Sequence, residues 1–410
     1  MRRPLPAPVV YLTMEACWGA FFYLMATISS VYRIREAGLD PLQLVLVGTV
    51  LEGTTLLFEV PTGVVADTVS RRTSIVVGTF LVGVGWMLEG AVAEFPAILV
   101  AQVLWGIGFT FTSGADVAWI TDEVGEERAA RLYLVATQVG QLAALAGIAG
   151  SVALATRSLG TPIFVAGACA VGLGLFLAAT MPERGWTRPP RGGRRLRPRS
   201  FAATFRGGVA TVRGRPLLLM LLAASALHGM STEGFDRLWA LQLLEATTLP
   251  PLGRLDRIVW FGVIQAGGLV LAVLAAEGVK RRVDVSTDRG AAGALAVVSA
   301  LLVATVVGFA YATGFVPAVA ALWGVTALRG LNEPLYAAWL NRGLDPATRA
   351  TVNSMGSQAD ALGQVAGGPV LGVLAVARST RVAIVAAGLV RAPATLLFAR
   401  AGMRAEPGAR

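Results

Sequence analysis

The sequence predicts an all-α membrane protein, with twelve transmembrane helices forming two pseudo-symmetric six-helix bundles. Three observations lead there. Only 15% of the 410 residues are charged and 55% are hydrophobic. A soluble domain carries about 25% charged residues, so this chain has too few to cover a water-facing surface. Apolar runs of about 18 residues or more recur along the whole length, each long enough to cross a bilayer as a helix. Short motifs also repeat, in the same order, between the two halves. A β-barrel is excluded because its signal is short alternating segments rather than continuous apolar runs.

The twelve spans fall near 9–32, 42–66, 74–94, 96–120, 131–156, 161–181, 216–244, 257–279, 290–311, 315–341, 351–377 and 381–400. Asp40-Pro41, Phe95-Pro96 and Thr161-Pro162 put proline at or near helix starts, where its missing N–H matters least. The first span follows Met1-Arg-Arg without a small-residue cleavage site, so it is expected to be retained. One connection is long. Residues 182–215 hold ten Arg against a single acid, Glu183, with an interfacial segment expected around Phe201–Val212. This basic linker separates an N-terminal bundle, residues 1–181, from a C-terminal bundle, residues 216–410.

Net charge is +10 and sits in the loops. Arg71, Arg72, Arg128, Arg131, the linker, Lys280 to Arg282, Arg342 and the tail all fall on one side of the predicted topology. The positive-inside rule therefore places both termini in the cytoplasm, and the plasma membrane is the expected location. Anionic lipid suits the linker better than nucleic acid does. Cys17 and Cys169 lie in separate apolar runs and read as packing residues.

The repeats follow. Asp67-Thr-Val-Ser-Arg71-Arg72 after the second span matches Glu277-Gly-Val-Lys-Arg281-Arg282 after the eighth. Ala118-Trp119 and Ala338-Trp339 close the fourth and tenth spans, and Gly140-Gln141 and Gly363-Gln364 sit within the fifth and eleventh. Parallel repeats with a cavity at their interface are an architecture of transporters.

Acids inside apolar spans carry the most chemistry, because each is costly at bilayer depth unless paired, protonated or facing water. They are Glu15, Glu52, Glu59, Asp116, Glu233, Asp236, Glu333 and Asp360. Glu15 lies near Trp18, and Asp116 follows Thr112-Ser-Gly-Ala. Glu233, Phe235, Asp236 and Arg237 share one turn, in which only Glu233 and Arg237 have the i,i+4 spacing to meet. Asn332-Glu333 precedes the helix-breaking Pro334. A carboxyl removed from water favours its neutral form, so it can take up and release a proton, and it attracts a cation. An ion pair fixing two helices is the structural alternative for each acid. Aromatic rings such as Trp18 and Phe235 can hold a planar or cationic ligand. With His228 as the only histidine, a multi-histidine metal site is excluded. No phosphate-binding loop is present, which argues against ATP-driven transport.

The stretch Gly63-x-x-x-Asp67-x-x-x-Arg71-Arg72 resembles the loop motif of the major facilitator superfamily between its second and third helices. The resemblance covers essentially the whole chain, and Glu59-Val-Pro61-Thr-Gly63 is similar to the lead-in of its bacterial drug:proton antiporters. Two motifs depart from the pattern. Gln102 stands where an Arg usually precedes the helix-four glycines, and the fifth span lacks proline, while Gly367-Gly368-Pro369 lies in the eleventh. The resemblance implies a secondary transporter that exports a small amphipathic or cationic compound by alternating access. The proton gradient is then the energy source, with no cofactor, no enzymatic activity and a monomeric state. Proton coupling and substrate contact are expected at Glu15, Trp18, Asp116, Glu233, Phe235, Asp236, Asn332, Glu333 and Asp360. A conformational latch is expected at Gly63, Asp67, Arg71 and Arg72, with Glu277, Arg281 and Arg282 as its weaker copy. Lipid or lysolipid flipping and small-solute uptake are the alternatives, and a non-transporting receptor is the remote one.

Overall fold

The structure is a computed structural model that describes residues 4–186, 216–282, 287–340 and 346–404. The described residues are helical apart from short connections and one isolated bridge, Leu252 to Leu255. In chain order the helices are α1 (Ala7–Arg35), α2 (Pro41–Thr68), α3 (Arg71–Ala91), α4 (Phe95–Thr112), α5 (Ala115–Val124), α6 (Glu126–Ala155) and α7 (Gly160–Thr180). After the linker come α8 (Pro216–Ala246), α9 (Val259–Arg282), α10 (Asp288–Ala310), α11 (Phe315–Leu340), α12 (Pro346–Ala377), α13 (Thr380–Val390) and α14 (Ala392–Arg404). Among the described residues, ten segments are long and apolar enough to cross a membrane, and Val259–Ala275 is a shorter apolar helix. The 31-residue α8 is interrupted by His228, Glu233, Asp236 and Arg237.

Two of the expected continuous spans are broken. The fourth splits into α4 and α5 at Ser113-Gly114, where Gly114 adopts φ 74°, a left-handed conformation that a side chain disfavours. The twelfth splits into α13 and α14 at Arg391. Most of the stretch Gly63–Arg72 is helix: α2 runs to Thr68, two residues past the expected end of the second span, and α3 begins at Arg71. Ser70 makes the short join possible by accepting the Thr73 N–H at 3.0 Å as the α3 N-cap. The interfacial segment expected near 201–212 lies outside the described residues.

The chain divides into two compact units. The first holds α1, α2 from Val50, α3 to α7 and Leu252–Gly262; the second holds Asp40–Thr49, α8, α9 from Val263, and α10 to α14. Within the first unit α1 packs on α6 and α7, and α3 on α4 and α7. Within the second, α8 packs on α12 and α13, and α10 on α11, α13 and α14. The main pairings match span for span, with α13 and α14 together making the contacts that α7 makes alone. The Gly-Gln repeat explains part of it: at Gly363, a Cβ would collide with the Ala226 carbonyl of α8. Its counterpart Gly140 sits at the matching crossing, where its own carbonyl would block a Cβ on Gly19 of α1. Close backbone approach through glycine is how helices associate where burial from water contributes little.

Candidate functional site

A cavity of about 470 Å³ opens within the first unit, between α1, α3 and the broken α4–α5 span. Its volume lies in the range of small-molecule pockets. Glu15 and Asp116 both face it, and so do five aromatic residues, Trp18, Phe22, Trp86, Trp105 and Phe109. The indoles form an edge-to-face series, with Trp18 to Trp86 at 5.9 Å and Trp86 to Trp105 at 5.5 Å. Such T-shaped contacts fix ring orientation. The break at Gly114 puts Asp116 in the first turn of α5, where free N–H groups and the helix dipole favour a negative charge. Sequence reasoning thus names Glu15, Trp18 and Asp116 separately, and the fold brings them to one cavity with net acidic character.

A buried polar brace ties α1, α3 and α4 together. Glu89 is fully buried; its Oε1 takes the Arg33 Nε and Nη2 at 2.7 Å each, and its Oε2 takes the Gln102 Nε2 at 2.7 Å. Tyr32 Oη donates to the Glu89 carbonyl. Gln102, which stands where a cation would be expected on the fourth span, therefore bonds an acid whose charge Arg33 of α1 already neutralises.

The second unit holds the remaining candidates. Glu233 is buried and accepts from Arg237 Nε at 3.1 Å, the pairing that the i,i+4 spacing allows. Asp236 pairs with Arg329 at 2.5 Å, and the Arg329 guanidinium lies 5.0 Å from the centre of the Phe235 ring. Phe235 is buried against Phe309. Asn332 belongs to a cluster around Arg391, the residue at the α13–α14 break. Arg391 donates to Asn332 Oδ1 at 2.7 Å, to Ser299 Oγ at 3.1 Å, and to His228 Nδ1. That last contact requires His228 to carry its proton on Nε2. Asp360 accepts from Gln364 at 2.8 Å through one oxygen, and the other oxygen is buried with no partner among the described residues. Glu333 is exposed. Glu233, Asp236 and Asn332 are thus held by Arg237, Arg329 and Arg391 respectively.

The family model of the Major Facilitator Superfamily matches residues 10–367. The chain belongs to the major facilitator superfamily. It is therefore an integral, multi-pass membrane transporter and not an enzyme. It is 20% identical over 369 residues to the uncharacterised transporter YxaM of Bacillus subtilis (strain 168), covering 90% of this chain and 89% of that one. Among solved structures, the nucleoside transporter NupG aligns with a TM-score of 0.75 at 12% identity, covering 97% of this chain and 99% of that one. A bacterial homolog of the human lysosomal transporter Spinster aligns at 0.74 with 14% identity, covering 98% of each chain. A POT family transporter in complex with 5-aminolevulinic acid aligns at 0.74 with 13% identity, covering 98% of this chain and 96% of that one. At these identities the likeness establishes the major facilitator fold and leaves the substrate open.

The superfamily's loop motif occupies the α2–α3 join. Asp67 is exposed near the end of α2, and a Cβ on Gly63 would meet open space. Arg71 pairs with Asp122 of α5 at 3.0 Å, and Arg72 Nη2 donates to the Ala178 carbonyl of α7 at 2.5 Å. Glu183 accepts from Ser70 Oγ and from the Arg72 N–H, placing a carboxylate at the α3 N-terminus. Those bonds all lie within the first unit. Glu277 is exposed on α9, and the side chains of Arg281 and Arg282 lie outside the described residues.

Sequence reasoning passed over Trp86, Glu89, Arg329 and Arg391. A sweep of apolar spans for every charged residue, bases included, finds the last three. Trp86 has no such signal, because its place in the cavity depends on packing between α1, α3 and α4.

Proposed function

We propose that this major facilitator protein exports small amphipathic or cationic compounds by alternating access, coupled to the inward movement of protons. The carrying observation is the first-unit cavity, where Glu15 and Asp116 face five aromatic side chains. A cation in such a cavity gains from the ring faces as well as from the acids. Protons and cation compete for the same carboxylates, which links loading of one to release of the other. In this reading the halves 1–181 and 216–410 act as the two moving bodies. The Gly63–Arg72 join is the latch, and the basic linker rests on anionic lipid at the cytoplasmic face of the plasma membrane. The protein works as a monomer with both termini inside.

Uptake of a small solute is the second reading. It is favoured by the fold neighbours, which include a nucleoside transporter, and by the amide-bearing Asp360–Gln364 and Asn332 groups. Accumulation of ethidium in expressing cells, with and without a protonophore, separates the two. Export predicts low dye that rises when the gradient collapses; dye that is unchanged, or raised by expression, overturns it.

A further inference from the structure

The first-unit cavity holds two acids and no base. Among the described residues that line it are Glu15 and Asp116, and none is Arg, Lys or His. Glu15 makes no hydrogen bond or ion pair among the described residues. Asp116 accepts from the neighbouring Val117 N–H at 2.7 Å and meets no cation. Both residues are partly exposed, and neither has a buried, unpartnered oxygen, so their carboxylates are open to a molecule in the cavity. Nearby bases are engaged elsewhere: Arg33 of α1 by Glu89, Arg71 of α3 by Asp122, and Arg72 by the Ala178 carbonyl. Other acids in the spans are treated differently. Glu89 meets Arg33, Glu233 meets Arg237 and Asp236 meets Arg329. Uncompensated charge within a span is costly, and the fold supplies a guanidinium to those three acids but not to the cavity pair.

We propose that the cargo itself supplies both missing charges: the cavity takes an aromatic dication, with one carboxylate for each positive centre and its rings against Trp18, Trp105 and Phe109. The proposal rests on the cavity being the cation site, and it narrows the substrate class from any amphipathic cation to a doubly charged one. A monocation balances one carboxylate and leaves the other bare, whereas a dication balances both. Each carboxylate gives up one proton as the dication binds and takes one back when it leaves. Two positive charges then cross in each direction, and the exchange moves no net charge.

Two probes of the same outline test it: 1,1′-dimethyl-4,4′-bipyridinium, a dication, and 1-methyl-4-(4-methylphenyl)pyridinium, in which carbon replaces one charged ring nitrogen. Binding of each to the purified full-length protein is measured by calorimetry, in mild detergent and slightly alkaline buffer that keeps the carboxylates ionised. The wild type is expected to bind the dication about tenfold more tightly, between the effect of a surface ion pair and that of a buried one. Glu15→Gln and Asp116→Asn each leave a single acid and should each bring the two affinities together. Equal affinities in the wild type overturn the proposal and leave the cation site standing, whether or not the variants fold. A dication preference that survives in either variant overturns it as well, and assigns the preference to charge elsewhere on the molecule. If neither probe binds the wild type, or if neither affinity changes in either variant, the cation-site reading itself falls and takes this proposal with it.

Discussion

Replacing Glu89 by Gln should unfold the first unit far more readily while changing almost no volume. The magnitude follows from the geometry. Glu89 is 0% exposed and Arg33 only 5%, and Arg33 holds the carboxylate through two nitrogens at 2.7 Å each. The amide removes the negative charge and leaves the guanidinium buried and uncompensated. Removing one partner of a buried pair costs about 3–5 kcal/mol, which is about two to three and a half orders of magnitude in the folding equilibrium at about 1.4 kcal/mol per tenfold. Denaturant titration of the purified protein in mild micelles measures the loss. Restoring a neutral interior should recover most of it. Arg33→Met with Glu89→Met strands only the Gln102 amide, and adding Gln102→Leu removes that last unpaired group. If Glu89→Gln and Arg33→Gln each stay within about 0.5 kcal/mol of the parent, as ordinary surface changes do, the brace is not the buried ion pair described here.

Two further outcomes are expected. Gly363→Val should weaken the α8–α12 crossing by about 1–3 kcal/mol, the usual range for overpacking, because its side chain meets the Ala226 backbone. Gly278→Ala, with open space around it, is the control and should be neutral or slightly stabilising in the same titration. In a transport assay, Asp67→Asn should slow turnover and leave ligand affinity nearly intact. A large affinity loss would place Asp67 in the binding site instead of the latch.

Hydropathy and short repeats made most of the fold legible. Twelve spans and their near boundaries follow from runs of apolar residues, since lipid leaves a chain little choice but helix. Periodicity does not show where a helix breaks while remaining in the membrane. Ser113-Gly114 and Arg391 interrupt their spans without a polar loop, so each span reads as continuous. The same limit ended the second span at residue 66 and started the third at 74, because charge and glycine mark a helix end as well as a loop, whereas α2 runs to Thr68 and α3 starts at Arg71. At the candidate site, the acids announced themselves as exceptions among apolar neighbours. Their partners did not: Glu89 finds Arg33 across 56 positions of sequence and Asp236 finds Arg329 across 93. Those pairings belong to tertiary packing.

In the proposed function, Glu15 and Asp116 couple the proton to a cation within the first-unit cavity. Proteoliposomes with an imposed pH gradient test it most directly, with ethidium flux and proton flux followed together. Wild-type protein is expected to move the dye against protons, and Glu15→Gln and Asp116→Asn are each expected to abolish gradient-driven dye movement. Full gradient-driven transport by both variants would contradict it and move the coupling site out of this cavity.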